Sequence, residues 1–187
     1  MPIPDFDHNN VLPPFINGSP GTAANHSPYV CSILEFCEKF ATTEIRINLL
    51  INFIKFRIKI HESEITSGFQ WVDGSFLEDK EKILKKGPDD IDVATFFEVT
   101  SPNTRNKIES EFPEFIQREL AKNNYKIDHL LIHIPALPPY HLIRSTNFIS
   151  KLFSYSRRGV YKGMVEIHLN SISEDMVALE YLNGIVL

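Results

Sequence analysis

The stretch FQWVDGSFLEDKEKILKKGPDDIDVATFFEV, residues 69–99, has two apolar ends and a polar middle. Each end is rich in β-branched and aromatic residues, which predicts a strand near residues 70–72 and another over residues 91–97. The polar middle contains the glycine and proline typical of a surface connection, either a loop or a short helix. Acidic residues lie where the first strand ends and where the second begins. The function predicted for the chain depends on the role of these residues.

The rest of the chain mixes helical and strand-like segments from end to end. Apolar spacing predicts helices over residues 29–40, 42–62, 103–112, 113–124, 139–156 and 173–184, and further strands over residues 126–134 and 163–169. This mixture predicts an α/β (α+β) fold with a mixed sheet of about four or five strands flanked by helices.

Prolines set the first part of the chain apart. They occur at positions 2, 4, 13, 14, 20 and 28. Because proline fixes φ and lacks a backbone donor, we predict a proline-rich N-terminal arm over residues 1–28, with the apolar side chains of VLPPF against a single domain over residues 29–187. The long helix over residues 43–60 is apolar on more than one side, so we expect it to be substantially buried. An interaction helix is the alternative.

Composition excludes some classes of protein. The 187 residues carry a formal net charge of −5 and no basic block, which argues against non-specific nucleic-acid binding by a basic surface. No apolar run approaches the roughly 20 residues that span a bilayer, and MPIPDFDHNN does not resemble a signal peptide. Cys31 and Cys37 are the only cysteines. We expect a cytoplasmic protein without a membrane partner or a disulfide.

Asp90 and Asp92 stand two positions apart where the second strand begins. Residues at this spacing share one face of a strand, about 6.6 Å apart along it. Two carboxylates this close repel each other unless a cation lies between them. Mg²⁺ prefers oxygen ligands and is bound by one or two carboxylates together with substrate phosphates. Asp-x-Asp alone is often a turn, but here it follows a second polar motif.

That second motif is the Gly74-Ser75 turn after the first strand. Glycine allows the backbone to approach a ligand closely, and Ser75 offers a hydroxyl and a backbone N–H of the kind that binds phosphate oxygens. A turn residue without a ligand is the plain alternative for Ser75, and Asp73 is expected to hydrogen-bond the turn backbone. A phosphate-binding turn ahead of a metal-binding strand suits a nucleoside triphosphate.

These residues resemble the nucleotidyltransferase superfamily of the polymerase-β type: Gly74-Ser75, then Asp90-x-Asp92 on the next strand, then Asp128 starting a later strand. The pattern is most similar to the minimal nucleotidyltransferases, which include antitoxin partners of HEPN ribonuclease toxins. PDFDHNNVLPP, WVDGSF, PDDIDVATFF and LFSYSRRGVYKGMVEIHL also resemble an uncharacterised bacterial family of nucleotidyltransferase-like proteins. The 15 positions from Ser75 to Asp90 exceed the usual gap of the superfamily.

The resemblance implies an enzyme that transfers a nucleoside monophosphate from an NTP, with ATP as the expected donor, to a hydroxyl on a protein or RNA. Asp90, Asp92 and Asp128 would be the catalytic residues and would hold two Mg²⁺ ions. Gly74 and Ser75 would bind the nucleotide. A toxin–antitoxin or phage-defence system is the expected setting.

Arg157 and Lys162 lie in SRRGVYKG. A solvated turn is one interpretation of this cluster, and a cationic clamp on the triphosphate, with both residues binding the nucleotide, is the other.

Two other functions remain open. The chain could keep the fold as a non-catalytic antitoxin or complex subunit, which binds a partner toxin or another subunit through the helix over residues 43–60 and the proline-rich arm. A metal-dependent nuclease or phosphodiesterase also uses paired aspartates, but it leaves Gly74-Ser75 without a role.

Overall fold

The structure is a computed structural model that describes residues 3–16, 21–99, 101–169 and 172–185. The described residues form one five-stranded mixed sheet flanked by helices, which confirms the predicted fold class. The strands are β1 (Tyr29–Val30), β2 (Gly68–Asp73), β3 (Ile91–Phe97), β4 (Ile127–His133) and β5 (Val165–His168). Their spatial order is β1-β5-β2-β3-β4. β2 runs antiparallel to β3 and β5, whereas β4 is parallel to β3 and β1 is parallel to β5.

The helices are α1 (Ile33–Phe40), α2 (Glu44–Glu62), α3 (Lys80–Leu84), α4 (Pro102–Glu111), α5 (Arg118–Tyr125), α6 (Pro139–Phe153) and α7 (Ile172–Asn183). α3 lies in the polar connection between β2 and β3, as the sequence predicted. None of the helices in the described ranges is long and apolar enough to cross a membrane.

Two helices begin four or more residues later than the sequence predicted. The helix predicted from residue 29 begins only at Ile33, because Tyr29 instead pairs with β5 and its side chain is fully buried. Ser32 then caps α1 through a capping box with Glu35. The helix predicted from residue 113 begins at Arg118, because the buried Phe115 draws residues 113–115 inward as a 3₁₀ turn.

The alternating side chains of β3 separate two apolar layers. Val93 and Phe97 face a large core that includes the apolar side chains of α1, α2 and α7, while Ala94 and Phe96 face a smaller layer under α6. α2 contributes much of the large core: Ile47, Leu49, Leu50, Phe53, Ile54, Phe56 and Ile60 are buried. The expectation that the helix over residues 43–60 is substantially buried is therefore confirmed, and the interaction helix stays an untested alternative.

A chain of buried polar side chains runs under the sheet on the α2 side. Arg57 of α2 donates to Asp175 of α7 at 2.7 Å and to Gln70 of β2 at 2.7 Å. Gln70 donates to Thr95 of β3 at 3.0 Å. Thr95 is 2.8 Å from a ring nitrogen of His129 on β4. This chain of contacts fixes the relative positions of α7, α2 and three neighbouring strands.

Part of the N-terminal arm is packed into the fold. Val11 and Leu12 are fully buried, as expected for VLPPF. The backbone of Leu12 accepts a hydrogen bond from Gly163 at 2.8 Å and donates one to Leu77 at 3.4 Å. Residues 1, 2 and 17–20 of the predicted arm lie outside the described residues. Cys31 and Cys37 are both buried and free.

Candidate active site

Three neighbouring strands each bring one aspartate to the same level of the sheet. Asp73 of β2 is the register partner of Asp92 on β3, and Asp92 is the register partner of Asp128 on β4. All three lie on the α6 side of the sheet, because Asp92 alternates with the neighbours that face the large core. Asp90 precedes β3 by one residue. The predicted placement of Asp128 on the strand beside Asp92 is confirmed, and Asp73 joins the row unexpectedly.

Gly74 brings the turn backbone directly against this row. Its φ is +80°, a left-handed conformation that favours glycine. A Cβ built at this position would lie 1.7 Å from Oδ2 of Asp92. Any side chain would therefore displace the Asp92 carboxylate. The sequence predicted that glycine lets the backbone approach a ligand closely. The neighbour that the structure shows is instead the second aspartate of Asp-x-Asp, and the approach to a ligand stays a prediction.

Lys162 holds the Gly74 turn in place through buried hydrogen bonds. Its ammonium donates to Oδ1 of Asp73 at 2.8 Å and to the carbonyl of Gly74 at 2.7 Å. The side chain is 1% exposed. The structure thus brings Lys162 to the predicted site, but as a support of the turn rather than as a surface group that could grip a triphosphate.

Arg46 holds the same turn from α2. Its guanidinium donates to the carbonyl of Phe76 at 2.7 Å and to that of Glu78 at 2.7 Å, and it also pairs with Glu81. The side chain is 2% exposed. Sequence reasoning missed this residue, although a charged residue on an otherwise buried helix was a usable signal, since buried charges require partners.

Ser75 and Arg157 occupy different surroundings. The hydroxyl of Ser75 accepts a hydrogen bond from Lys80 of α3 at 3.3 Å, and Lys80 also lies 3.3 Å from Asp89. Lys80 is therefore a cation beside the predicted phosphate turn. Arg157 is exposed in the turn before Tyr161, and among the described residues no ion pair joins it to the aspartate row.

Two cations of α5 contact the row from its β4 side. Lys122 lies 2.8 Å from Oδ2 of Asp90 and 3.1 Å from Oδ2 of Asp128, and Arg118 pairs with Oδ1 of Asp128. Sequence reasoning missed both. Their spacing of four positions on a helix just before the Asp128 strand was the available signal, because such a pair shares one helix face.

The carboxylates differ in how readily they lose a proton. Burial, reinforced by the charges of Asp90 and Asp128, raises the pKa of Asp92 to about 6. Burial also raises the pKa of Asp73 to about 7, against the attraction of Lys162. For Asp128 burial acts in the same direction, but hydrogen bonds from Arg118 and Lys122 outweigh it and hold the pKa below its ordinary value. Within the described ranges, Asp92 has no ion-pair partner.

The donor chemistry suits a hard divalent cation, because carboxylate oxygens are the ligands that Mg²⁺ prefers. The present arrangement is not a finished metal site, however. Among the described residues no three acidic, histidine or cysteine side chains converge on one point, and Lys122 lies between Asp90 and Asp128. A divalent cation at the row would have to displace that ammonium.

The chain belongs to a family of unknown function, DUF6932, whose model matches residues 4–168. The matched region includes all five strands, the Gly74 turn and the aspartate row, and it ends before α7. No curated protein and no solved structure matches the chain.

Replacing Gly74 by alanine tests the close approach of the turn. Gly159 is a matched control, because its φ is +76° and nothing lies within 4 Å of a Cβ built there. We expect Gly159→Ala to cost about 1 kcal/mol for backbone conformation alone. Gly74→Ala should cost about 1–3 kcal/mol more, since its Cβ collides with Asp92. Urea unfolding measures both, and equal losses would mean that the turn does not press on Asp92.

Replacing Asp92 by asparagine tests the electrostatics of the row. The pKa of Asp92 is raised from 3.8 to about 6 in the folded protein, so the folded state binds more protons than the unfolded state between these pH values. The contribution of Asp92 to the free energy of unfolding should therefore fall as pH rises through this window. Asp92→Asn removes this contribution. The free energy of unfolding of the variant, relative to that of the parent, should therefore rise by on the order of 3 kcal/mol as pH rises from 3.8 to about 6.

Urea unfolding of both proteins in EDTA, from pH 3 to pH 8, measures this difference. Asp89→Asn is the control, because Lys86 and Lys80 lower the pKa of that exposed carboxyl and its replacement should not reproduce the gain. Parallel stability curves for the parent and Asp92→Asn would contradict the account of the row.

Proposed function

We propose that the chain is a Mg²⁺-dependent nucleotidyltransferase, which transfers a nucleoside monophosphate from an NTP, with ATP as the expected donor, to a hydroxyl of a protein or RNA. One observation carries the proposal: the Gly74 backbone lies so close to Asp92 that a Cβ would fall 1.7 Å from its carboxylate. Phosphates held by the turn would therefore meet the aspartate row directly. The order of Gly74-Ser75, Asp90-x-Asp92 and Asp128 along adjacent strands supports the same proposal.

In this proposal the turn and α3 bind the donor. The hydroxyl of Ser75 and the ammonium of Lys80, which are 3.3 Å apart, can both contact one phosphate group. Lys162 and Arg46 keep the turn in place through its carbonyls, so the contact does not require the turn to reorganise. Arg157 remains a candidate for the outer part of the nucleotide, because it is exposed.

Asp90, Asp92 and Asp128 would hold Mg²⁺, as two ions. When bound, Mg²⁺ would supply charge neutralisation of the phosphates and polarisation of the α-phosphate. Asp92 is suited to this task because it is the carboxylate of the three that lacks a cationic partner within the described chain.

The acceptor hydroxyl must lose a proton to a nearby base. Asp128 is a poor acceptor while Arg118 and Lys122 hydrogen-bond to it, because these contacts lower its pKa. Removal of the two cations would make it a stronger base. The proposed chemistry therefore requires a different partner arrangement around Asp128 from the one seen here.

The alternative is a non-catalytic antitoxin or complex subunit, and most of the apolar residues expected to contact its partner are buried. The apolar side chains of α2 are buried within the chain's own core, and so are Val11 and Leu12 of the proline-rich arm. A partner toxin or complex subunit would have to contact another face. The enzyme is therefore the function that we propose.

Labelled nucleotides test the proposal. Each of the four NTPs, labelled at the α-phosphate, is incubated with Mg²⁺, the protein and a heat-inactivated cell extract, and protein and RNA are separated. We expect label from α-labelled ATP on one of the two fractions and none from γ-labelled ATP, because the nucleoside monophosphate is transferred. Asp92→Asn should reduce labelling about 100-fold or more. Glu109→Gln, at an exposed carboxylate that pairs with Arg105 on α4, should leave it unchanged.

Label from the γ-phosphate would indicate a kinase and contradict the proposal. Equal labelling by the parent and Asp92→Asn, or none from any of the four α-labelled nucleotides, would also contradict it.

A further inference from the structure

Arg118 and Lys122 stand over the aspartate row in an exposed position. Their side chains are 57% and 44% exposed, whereas those of Asp128 and Asp90 are 12% and 20% exposed. The two cations are thus nearer to the solvent than the carboxylates to which they are paired. Both cations are on α5, one helical turn apart, so they form a pair facing the same way.

The contacts of this pair depend on charge rather than on packing. Three carboxylates, at Asp90, Asp92 and Asp128, face the two cations. Lys122 alone bridges Asp90 and Asp128. A divalent cation bound to those two carboxylates would meet the ammonium of Lys122 at close range, and two like charges at that range repel. The long lysine and arginine side chains can turn outward while remaining tethered to α5.

A cation turned out of the row stays on its β4 side, across the row from the Gly74-Ser75 turn that would hold the donor, so a triphosphate held by the turn and extending along the row would reach it. Guanidinium and ammonium groups are the usual side-chain partners of phosphate, arginine through paired hydrogen bonds and lysine as a point charge. The row alone is acidic and would repel a triphosphate, so a site for it needs cations that are not already committed to carboxylates.

We propose that Arg118 and Lys122 are binding residues for the triphosphate of the donor, held by Asp90 and Asp128 until a divalent cation takes those carboxylates. The inference rests on the proposed function and assigns two residues to it. Lys122 then weakens the binding of the divalent cation and strengthens the binding of the triphosphate. It competes with the divalent cation in the absence of nucleotide, and it attracts the phosphates once the cation is bound.

Lys122→Met tests this, because methionine keeps the length of the side chain without the charge. Isothermal titration calorimetry measures Mn²⁺ alone and then ATP in saturating Mg²⁺. We expect Lys122→Met to bind Mn²⁺ about fivefold more tightly than the parent, as loss of one competing surface ion pair implies, and to bind ATP about fivefold more weakly. Inorganic tripolyphosphate in Mg²⁺ should show the same loss as ATP, since the contact is to phosphate.

Lys55→Met is the control, because Lys55 is an exposed lysine on α2 without an ion pair among the described residues. It should change neither affinity, and Lys122→Arg should restore both toward those of the parent. Changes of the same sign for Mn²⁺ and ATP, or no change in either, would overturn the inference. A Lys122→Met variant that binds RNA more weakly but binds ATP like the parent would also overturn the inference.

The outcome separates this inference from the proposed function. A parent that binds Mn²⁺ and ATP, together with unaltered Lys122→Met and Arg118→Met variants, overturns only the roles of Arg118 and Lys122. A parent and a variant that both fail to bind Mn²⁺ overturn the metal-dependent function as well.

Discussion

The contact between Lys162 and the Gly74 turn is the constraint on which the candidate site depends. A buried ammonium is costly unless it is paired, and here it is satisfied by Asp73 and by the carbonyl of Gly74. Arg46 satisfies two more carbonyls of the same turn from α2. Two buried cations from distant parts of the sequence therefore fix the position of the turn. This position determines how closely the backbone of Gly74 approaches Asp92.

In the proposed function, this arrangement would let an acidic protein bind a polyanion. The centre of the site is a row of carboxylates that needs compensating positive charge, and the surrounding side chains supply it from Lys80, Arg118 and Lys122. The net charge of −5 therefore says little about the site, because the charges that matter are local. We propose that exchange between these cations and a divalent ion prepares the site for the donor.

Sequence periodicity could predict the parts of this site that depend on strands. β3 has the predicted bounds, and the face on which Asp92 lies follows from the alternation of side chains along it. The contacts of Lys122 and Lys162 could not be predicted in the same way. They join residues of different elements, and whether a lysine points to solvent or into a buried carboxylate depends on how α5 and the segment before β5 dock. Tyr29 escaped prediction for a similar reason, since strand pairing with β5 outweighed a helical apolar pattern.

The measurement that tests the central claim most directly is anomalous scattering from a crystal of the protein with Mn²⁺ and a non-hydrolysable ATP analogue. The account predicts a Mn²⁺ peak within coordination distance of Asp92 and at least one of Asp90 and Asp128. The phosphates should lie against Gly74 and Ser75. A crystal in which the analogue is bound elsewhere, while Lys122 still bridges Asp90 and Asp128 without Mn²⁺ at the row, would contradict it.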